Sequence, residues 1–201
     1  IDEFRPDVAI VATGGIPSVP VIPGIEGRNV VRSGDLHKTV KMLLRLTSPR
    51  TLAWLTRVWM PVGRSVIIIG GRIAACQLAE FLVKRGRRVT IIETDENLGN
   101  GMVPERKNRL FAWFRKKGVA MITGASCEQV TAEGLTVRTK EGTRLTVTGA
   151  TIIPATQMSP NTALADALRE KVPEVYVIGD CRESRLIPDA IAEGWGVARK
   201  I

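Results

Sequence analysis

Residues 65–93, SVIIIGGRIAACQLAEFLVKRGRRVTIIE, constrain the fold of this chain more than any other stretch. Residues 66–69 are an unbroken run of apolar, β-branched side chains, as a strand buried on both faces requires. A tight turn at Gly70-Gly71 follows. A helical pattern comes next, with Ala74, Leu78 and Leu82 on one stripe and Ala75 and Ala79 beside it. Gly86 is placed to end that helix. Residues 89–92 form a second buried strand that finishes on Glu93. Together these parts make a βαβ unit of the length a parallel crossover needs.

The chemistry expected of such a unit is dinucleotide binding. The turn and the helix N-terminus present N–H groups and a positive dipole end to a pyrophosphate. An acid ending the second strand accepts hydrogen bonds from the adenosine ribose, and Glu93 follows Gly70 at close to the usual spacing of about 20 residues. A carboxylate there repels a 2′-phosphate, and no Arg or Lys stands between Glu93 and Arg106, so NAD is expected rather than NADP. The nucleotide contacts expected are Gly70, Gly71, Arg72, Ile73, Ala75 and Glu93. In the G-x-G-x-x-G/A frame Ala75 is an accepted variant, whereas Arg72 replaces the glycine that lets the backbone approach the pyrophosphate. Two readings of Arg72 stay open: its bulk obstructs the ligand and leaves a scaffold, or its guanidinium swings out and pairs with phosphate.

With 201 residues, 44% of them hydrophobic, the chain can build one good core or two small ones. No apolar run approaches the roughly 20 residues of a membrane span, and the opening IDEF has no basic leader. Because it begins without Met, a piece of a longer cytoplasmic protein is expected. Cys76, Cys127 and Cys181 make neither a C-x-x-C pair nor a zinc set and read as small, buried or half-buried residues in a reducing compartment. The net charge of +9 is spread over several helices, with one Tyr and no aromatic–basic interleaving. That pattern points to solvated helix faces or an acidic partner, not to nucleic acid.

Upstream, residues 8–11 read as a buried strand, Thr13-Gly14-Gly15 as a turn off its end, and IPSVPVIPGIEG as a crossing held extended by Pro17, Pro20 and Pro23. At the far end, residues 175–195 read VYVIGDCRESRLIPDAIAEGW, a strand ending in Gly-Asp and leading into a helix with small residues. The order strand–Ala-Thr-Gly turn, proline-rich linker, βαβ unit and Gly-Asp segment resembles the two-dinucleotide-binding-domain flavoproteins of the pyridine nucleotide–disulfide oxidoreductase superfamily. The wording is closest to the C-terminal part of the old-yellow-enzyme-like NADH:flavin oxidoreductases, a group that includes 2,4-dienoyl-CoA reductase and trimethylamine dehydrogenase.

The resemblance implies an NAD(P)H-dependent flavin oxidoreductase in which NADH passes hydride to FAD. It implies FAD contacts at Ala12, Thr13, Gly14, Gly179 and Asp180, with an FMN barrel and an iron–sulfur cluster upstream. Read from its residue type alone, Asp180 is equally a turn-capping carboxylate. Three departures stand out. The family's first glycine-rich βαβ unit would precede residue 1, so the isolated chain is expected to be inactive and without stable FAD. The second Ala-Thr-Gly-like turn reads Ala155-Thr156-Gln157, and the dithiol of the disulfide reductases is missing. A non-redox, ADP-holding or structural domain of the trimethylamine dehydrogenase kind is the alternative.

The fold class expected is α/β, a Rossmann-like three-layer ββα dinucleotide-binding domain with flanking pieces of a second, incomplete FAD-type domain. Residues 1–28 are read as a remnant of the FAD domain, 29–156 as the NAD(P)-binding domain, and 157–201 as the closing FAD segment. An insertion at 36–63 carries two apolar-periodic segments and the bases Lys38, Lys41, Arg45, Arg50 and Arg57, followed by Arg64, with no acid after Asp35. Such a basic amphipathic hairpin, its second helix opened by Ser48-Pro49, suits a neighbouring domain better than a membrane surface. His37 reads as a helix-start surface residue. Pro104 opens a helix that buries Leu110, Phe111 and Phe114 and ends at Gly118, with Trp113 and Phe114 serving packing. A third strand at 119–123, alternating strands over 126–148 with a turn at Glu141-Gly142, and a strand at 151–153 follow. Ser159-Pro160 is expected to cap a short helix carrying Leu164 and Leu168, and Gly194 and Gly196 to mark close backbone approach.

Overall fold

The computed structural model describes residues 3–32, 60 and 62–201. In chain order the elements are strands β1 (Val8–Val11) and β2 (Ser65–Ile69), helix α1 (Ile73–Val83), β3 (Arg88–Ile92), α2 (Pro104–Lys116), β4 (Ala120–Ile122), β5 (Ser126–Val130), β6 (Gly134–Arg138), β7 (Arg144–Thr148), β8 (Thr151–Pro154), α3 (Ala163–Leu168), β9 (Glu174–Val177) and α4 (Ile187–Ala198). They form two compact units, Val19–Thr156 and the pair Ile1–Ser18 with Gln157–Ile201.

The larger unit has three layers. Its centre is a parallel sheet in the order β4-β3-β2-β8. Strand β2 is fully internal, so its residues alternate between two apolar faces rather than between core and water. Val66 and Ile68 pack with Ala75, Cys76, Ala79 and Leu82 of α1 and with Leu110 and Phe114 of α2. Ile67 and Ile69 pack on the other side with Val130, Leu135 and Val137 of the antiparallel sheet β5-β6-β7. Ile152 and Ile153 of β8 divide the same way. The fold is the expected α/β, Rossmann-like arrangement.

Three details differ from expectation. The buried face of α1 is Ala75, Cys76, Ala79 and Leu82, while Ala74 is exposed and Leu78 half-buried. Apolar residues nearly surround the first turns of this helix, so periodicity alone did not fix the phase of its stripe. Ser159 caps no helix: its backbone exchanges hydrogen bonds with Ile16 at 2.8 and 2.9 Å, which holds it extended, and α3 begins at Ala163 after Thr162. Residues 19–28 fall in the larger unit. There Ile22 is buried beside Ile67 and Val130, the Val130 N–H donates to the Pro23 carbonyl at 2.8 Å, and Val30 bridges to Ile152. The expected hairpin, with His37 and Ser48-Pro49, lies outside the described residues.

In the smaller unit β1 and β9 pair in parallel, Val8 to Glu174 through Val11 to Val177. A single 3-10 turn, Gly179–Cys181, leads towards α4. The core is Val11, Ala165 and Cys181, with Leu168, Val175 and Val177 packed against it. Among the described residues no helix is long and apolar enough to cross a membrane.

Candidate nucleotide-binding site

Strand β2 ends directly in the glycine turn, and each glycine answers a separate steric demand. Gly70 donates its N–H to the Ile92 carbonyl at 2.8 Å, which fastens the turn to the end of β3. Its φ is +110°, and a Cβ there would stand 2.6 Å from the Ala155 carbonyl oxygen, so only glycine fits. A Cβ on Gly71 would meet Leu98 Cδ2 at 2.1 Å and Glu93 Cβ at 3.0 Å. The Gly71 carbonyl accepts the Gly99 N–H at 2.6 Å, and its own N–H donates to Glu93 Oε2 at 2.5 Å. The turn is thereby clamped between the end of β3 and the loop that follows it.

Glu93 is 8% exposed. Besides the Gly71 N–H it accepts the Thr94 hydroxyl and the Asp95 N–H on Oε1, both at 3.1 Å. These donors account for the burial of the carboxylate, because hydrogen bonds to the charged form replace water. The acid expected to read a ribose therefore also holds the glycine turn in place.

Arg72 occupies the N-cap of α1 in extended conformation, φ −74° and ψ −176°, and is exposed. Its backbone does not call for glycine, so the departure from the fingerprint is one of bulk alone. The next N–H groups, of Ile73, Ala74 and Ala75, stand in the first turn, where a helix supplies no acceptors and its dipole is positive. Ala75 is fully buried and lets α1 approach the sheet, the function of the last small residue in the frame. Donors, acid and small residue come together at the end of β2. Two thiols lie near Glu93. Burial pushes Cys76 up to about 11; burial and then the Glu93 charge push Cys127 up to about 11. Neither is an activated nucleophile.

The smaller unit assembles the second group of residues. The Ile178 N–H donates to the Val11 carbonyl at 3.0 Å, which places the turn after β1 beside the turn after β9. A Cβ on Gly15 would meet Met158 Cβ at 2.8 Å and the Asp180 carbonyl at 3.3 Å. Ala12, Thr13 and Gly14 thus lie in the same corner as Gly179 and Asp180. Glu193 of α4 was not foreseen. Its Oε2 accepts the Gly179 N–H at 2.6 Å, and its Oε1 takes the Arg182 guanidinium at 3.4 Å and that of Arg185. Asp180 Oδ1 accepts the Arg185 N–H at 3.4 Å, a long contact. Gln157 donates to the Ser184 carbonyl and accepts the Ser18 hydroxyl through its own carbonyl. Gly194 and Gly196 mark no close approach: a Cβ at Gly194 would be at an ordinary 3.8 Å from Ile178 Cδ1, and at Gly196 it would meet nothing within 4 Å.

The sequence model of the pyridine nucleotide-disulphide oxidoreductases matches residues 2–194. The chain belongs to this family. As a pyridine nucleotide-disulphide oxidoreductase it is similar to the NADH oxidase of Thermoanaerobacter brockii, 29% identical over all of this chain and 29% of that protein. It is similar to the nitric oxide reductase FlRd-NAD(+) reductase of Klebsiella pneumoniae (strain 342), 26% identical over 90% of this chain and 48% of that protein. Among solved structures, 2-naphthoyl-CoA reductase matches with a TM-score of 0.78 and 26% identity over the whole chain and 28% of that protein. Histamine dehydrogenase from Rhizobium sp. 4-9 shares the fold at a TM-score of 0.74 with 14% identity, over 97% of this chain and 29% of that one. The chain spans under half the length of each of these relatives.

Proposed function

We propose that this chain is the NADH-binding part of a longer, FAD-dependent oxidoreductase. The observation that carries the reading is the Glu93 carboxylate hydrogen-bonded to Gly71 at the start of α1. One short segment thereby offers a diphosphate the helix end and offers a ribose the acid. The larger unit binds and orients the nucleotide: first-turn N–H groups take the pyrophosphate, and Glu93 takes the ribose hydroxyls through the lone pairs its internal donors leave. FAD, when bound, supplies the two-electron acceptor for the hydride, and Ala12, Thr13, Gly14, Gly179 and Asp180 would contact it. The relatedness to NADH:flavin oxidoreductases of the 2,4-dienoyl-CoA reductase kind, with an FMN barrel and an iron–sulfur cluster upstream, belongs to the same proposal.

Parallel calorimetric titrations with NADH, NADPH and ADP test it. NADH binding at least tenfold tighter than either of the others supports a reductase site. A second reading rests on Arg72, which adds a long side chain where the frame has none: the unit holds only the adenosine half. Equal affinity for ADP and NADH favours that reading, and no binding of any nucleotide overturns both. Arg72→Gly separates the two accounts of this residue. Tighter NADH binding marks Arg72 as an obstruction, and weaker binding marks it as a phosphate ligand.

A further inference from the structure

Charge is unevenly distributed over the larger unit. Glu93, Asp95 and Glu96 follow the C-terminal end of β3, at the glycine-turn edge of the parallel sheet. At the opposite edge the strands begin and both helices end. Arg64 and Arg88 stand there at strand starts, joined by the Arg88 N–H to Arg64 carbonyl bond of 2.8 Å. Lys84 follows α1, and Arg115, Lys116 and Lys117 close α2. Residues 84–88 and 115–119 include no acid. Of these six cations only Lys84 is in an ion pair among the described residues, with Glu80 at 2.5 Å. Elsewhere bases find acids, as Arg138 and Arg144 do on Glu128 and Arg169 on Asp166.

Helix dipoles favour cations at the end of α2 but give no reason for Arg64 and Arg88 where strands begin. Attraction of an anionic nucleotide gives none either. The basic edge lies a full strand length from the glycine turn, roughly 16 Å at about 3.3 Å per residue, while the acids crowd the nucleotide end. Through Lys84 the basic edge continues into a groove of about 650 Å³ between α1 and α2, whose charged lining is Lys84, Arg106 and Arg109 with the acids Glu80 and Glu105, and whose apolar lining includes Leu110 and Trp113. Leu110 is buried and Trp113 half-buried at its floor. Arg106 and Arg109 form no ion pair among the described residues.

We propose that this groove and the basic edge it joins form a docking site for an acidic polypeptide segment carrying an apolar side chain. Guanidinium groups pair carboxylates through two parallel hydrogen bonds, and a side chain can enter the groove to reach Leu110 and Trp113. A flat lipid surface or a duplex backbone would meet the cations but not that floor. The site is separate from the nucleotide site and does not rest on the reading given above.

Fluorescence anisotropy of a labelled synthetic peptide of Glu, Asp and Leu, titrated with the full chain, tests the proposal. The peptide binds at low salt and weakens by about tenfold or more as the Debye length falls from about 30 to about 8 Å. The double variant Arg109→Glu/Lys116→Glu, both on the helix surface, lowers affinity about tenfold, with circular dichroism and the thermal midpoint confirming the fold. A probe with Ser for Leu also binds about tenfold more weakly. The proposal is overturned by no binding at low salt, by equal binding of the double variant or of the Ser probe, or by tighter binding to phosphatidylserine vesicles or to single-stranded DNA than to the peptide.

Discussion

Replacing Glu93 by Gln keeps an acceptor for the Gly71 N–H and removes the charge that would repel a 2′-phosphate. Glu93→Gln is therefore expected to bring NADH and NADPH affinities about tenfold closer, read by titration, with a lowered thermal midpoint because the amide NH2 that replaces Oε1 faces the Asp95 N–H. Glu93→Ala leaves the N–H groups of Gly71 and Asp95 without their acceptor. It is expected to cost about 1–3 kcal/mol in urea unfolding as well as to weaken nucleotide binding. Gly70→Ala is expected to lose about 1–3 kcal/mol through strained backbone, with a further loss from the contact with Ala155. The fully buried Cys76 thiol makes stability pH-dependent. Burial pushes it up to about 11 from an ordinary 9.0, so above about 9 the unfolded chain ionises first. The stabilisation is complete below that pH and is lost as pH rises through about 11. Between these limits the wild-type thermal midpoint falls more steeply than that of Cys76→Ala.

At the scale of elements, α2 is fixed by Phe114, fully buried and flanked by Phe111 and Trp113 at ring-centroid distances of 6.1 and 5.7 Å. Phe114→Ala is expected to cost about 3–5 kcal/mol in denaturant unfolding. It should also loosen the loop before α2, whose Gly99 holds the glycine turn, and so reduce nucleotide affinity beyond the loss of stability. The elements were legible in the sequence where local chemistry decides them. Residues 66–69 are apolar without alternation because two layers cover them, Gly70 takes a φ that side chains avoid, and Pro104 can only open a helix. What stayed illegible is set by contacts distant in the chain. Ser159-Pro160 has the chemistry of a cap, but pairing with Ile16 takes its backbone away. Glu193 leaves only one local trace, an acid between Ile191 and Trp195, since its partners Gly179, Arg182 and Arg185 reach it only once α4 folds back. Glu93 could be named as an acid ending a strand, but the three donors that bury it could not.

For the whole molecule, the two units differ in how much core they own. The larger unit sandwiches its sheet between two apolar layers, whereas the smaller has three buried hydrophobic residues at its centre. Amide hydrogen exchange is expected to be faster in β1, β9 and α4 than in β2, β3 and β8, and thermal unfolding to depart from a single two-state step. The smaller unit is made of the two ends of the chain, and its two segments are fastened where the larger one departs and returns. Ile16 and Ser159 exchange backbone hydrogen bonds, and Ser18 reaches the Gln157 carbonyl. The larger unit therefore leaves and re-enters its host at neighbouring points, in the manner of a cassette. Its 19–156 segment could be excised by a short splice near these residues, or exchanged for another unit, without re-routing the host.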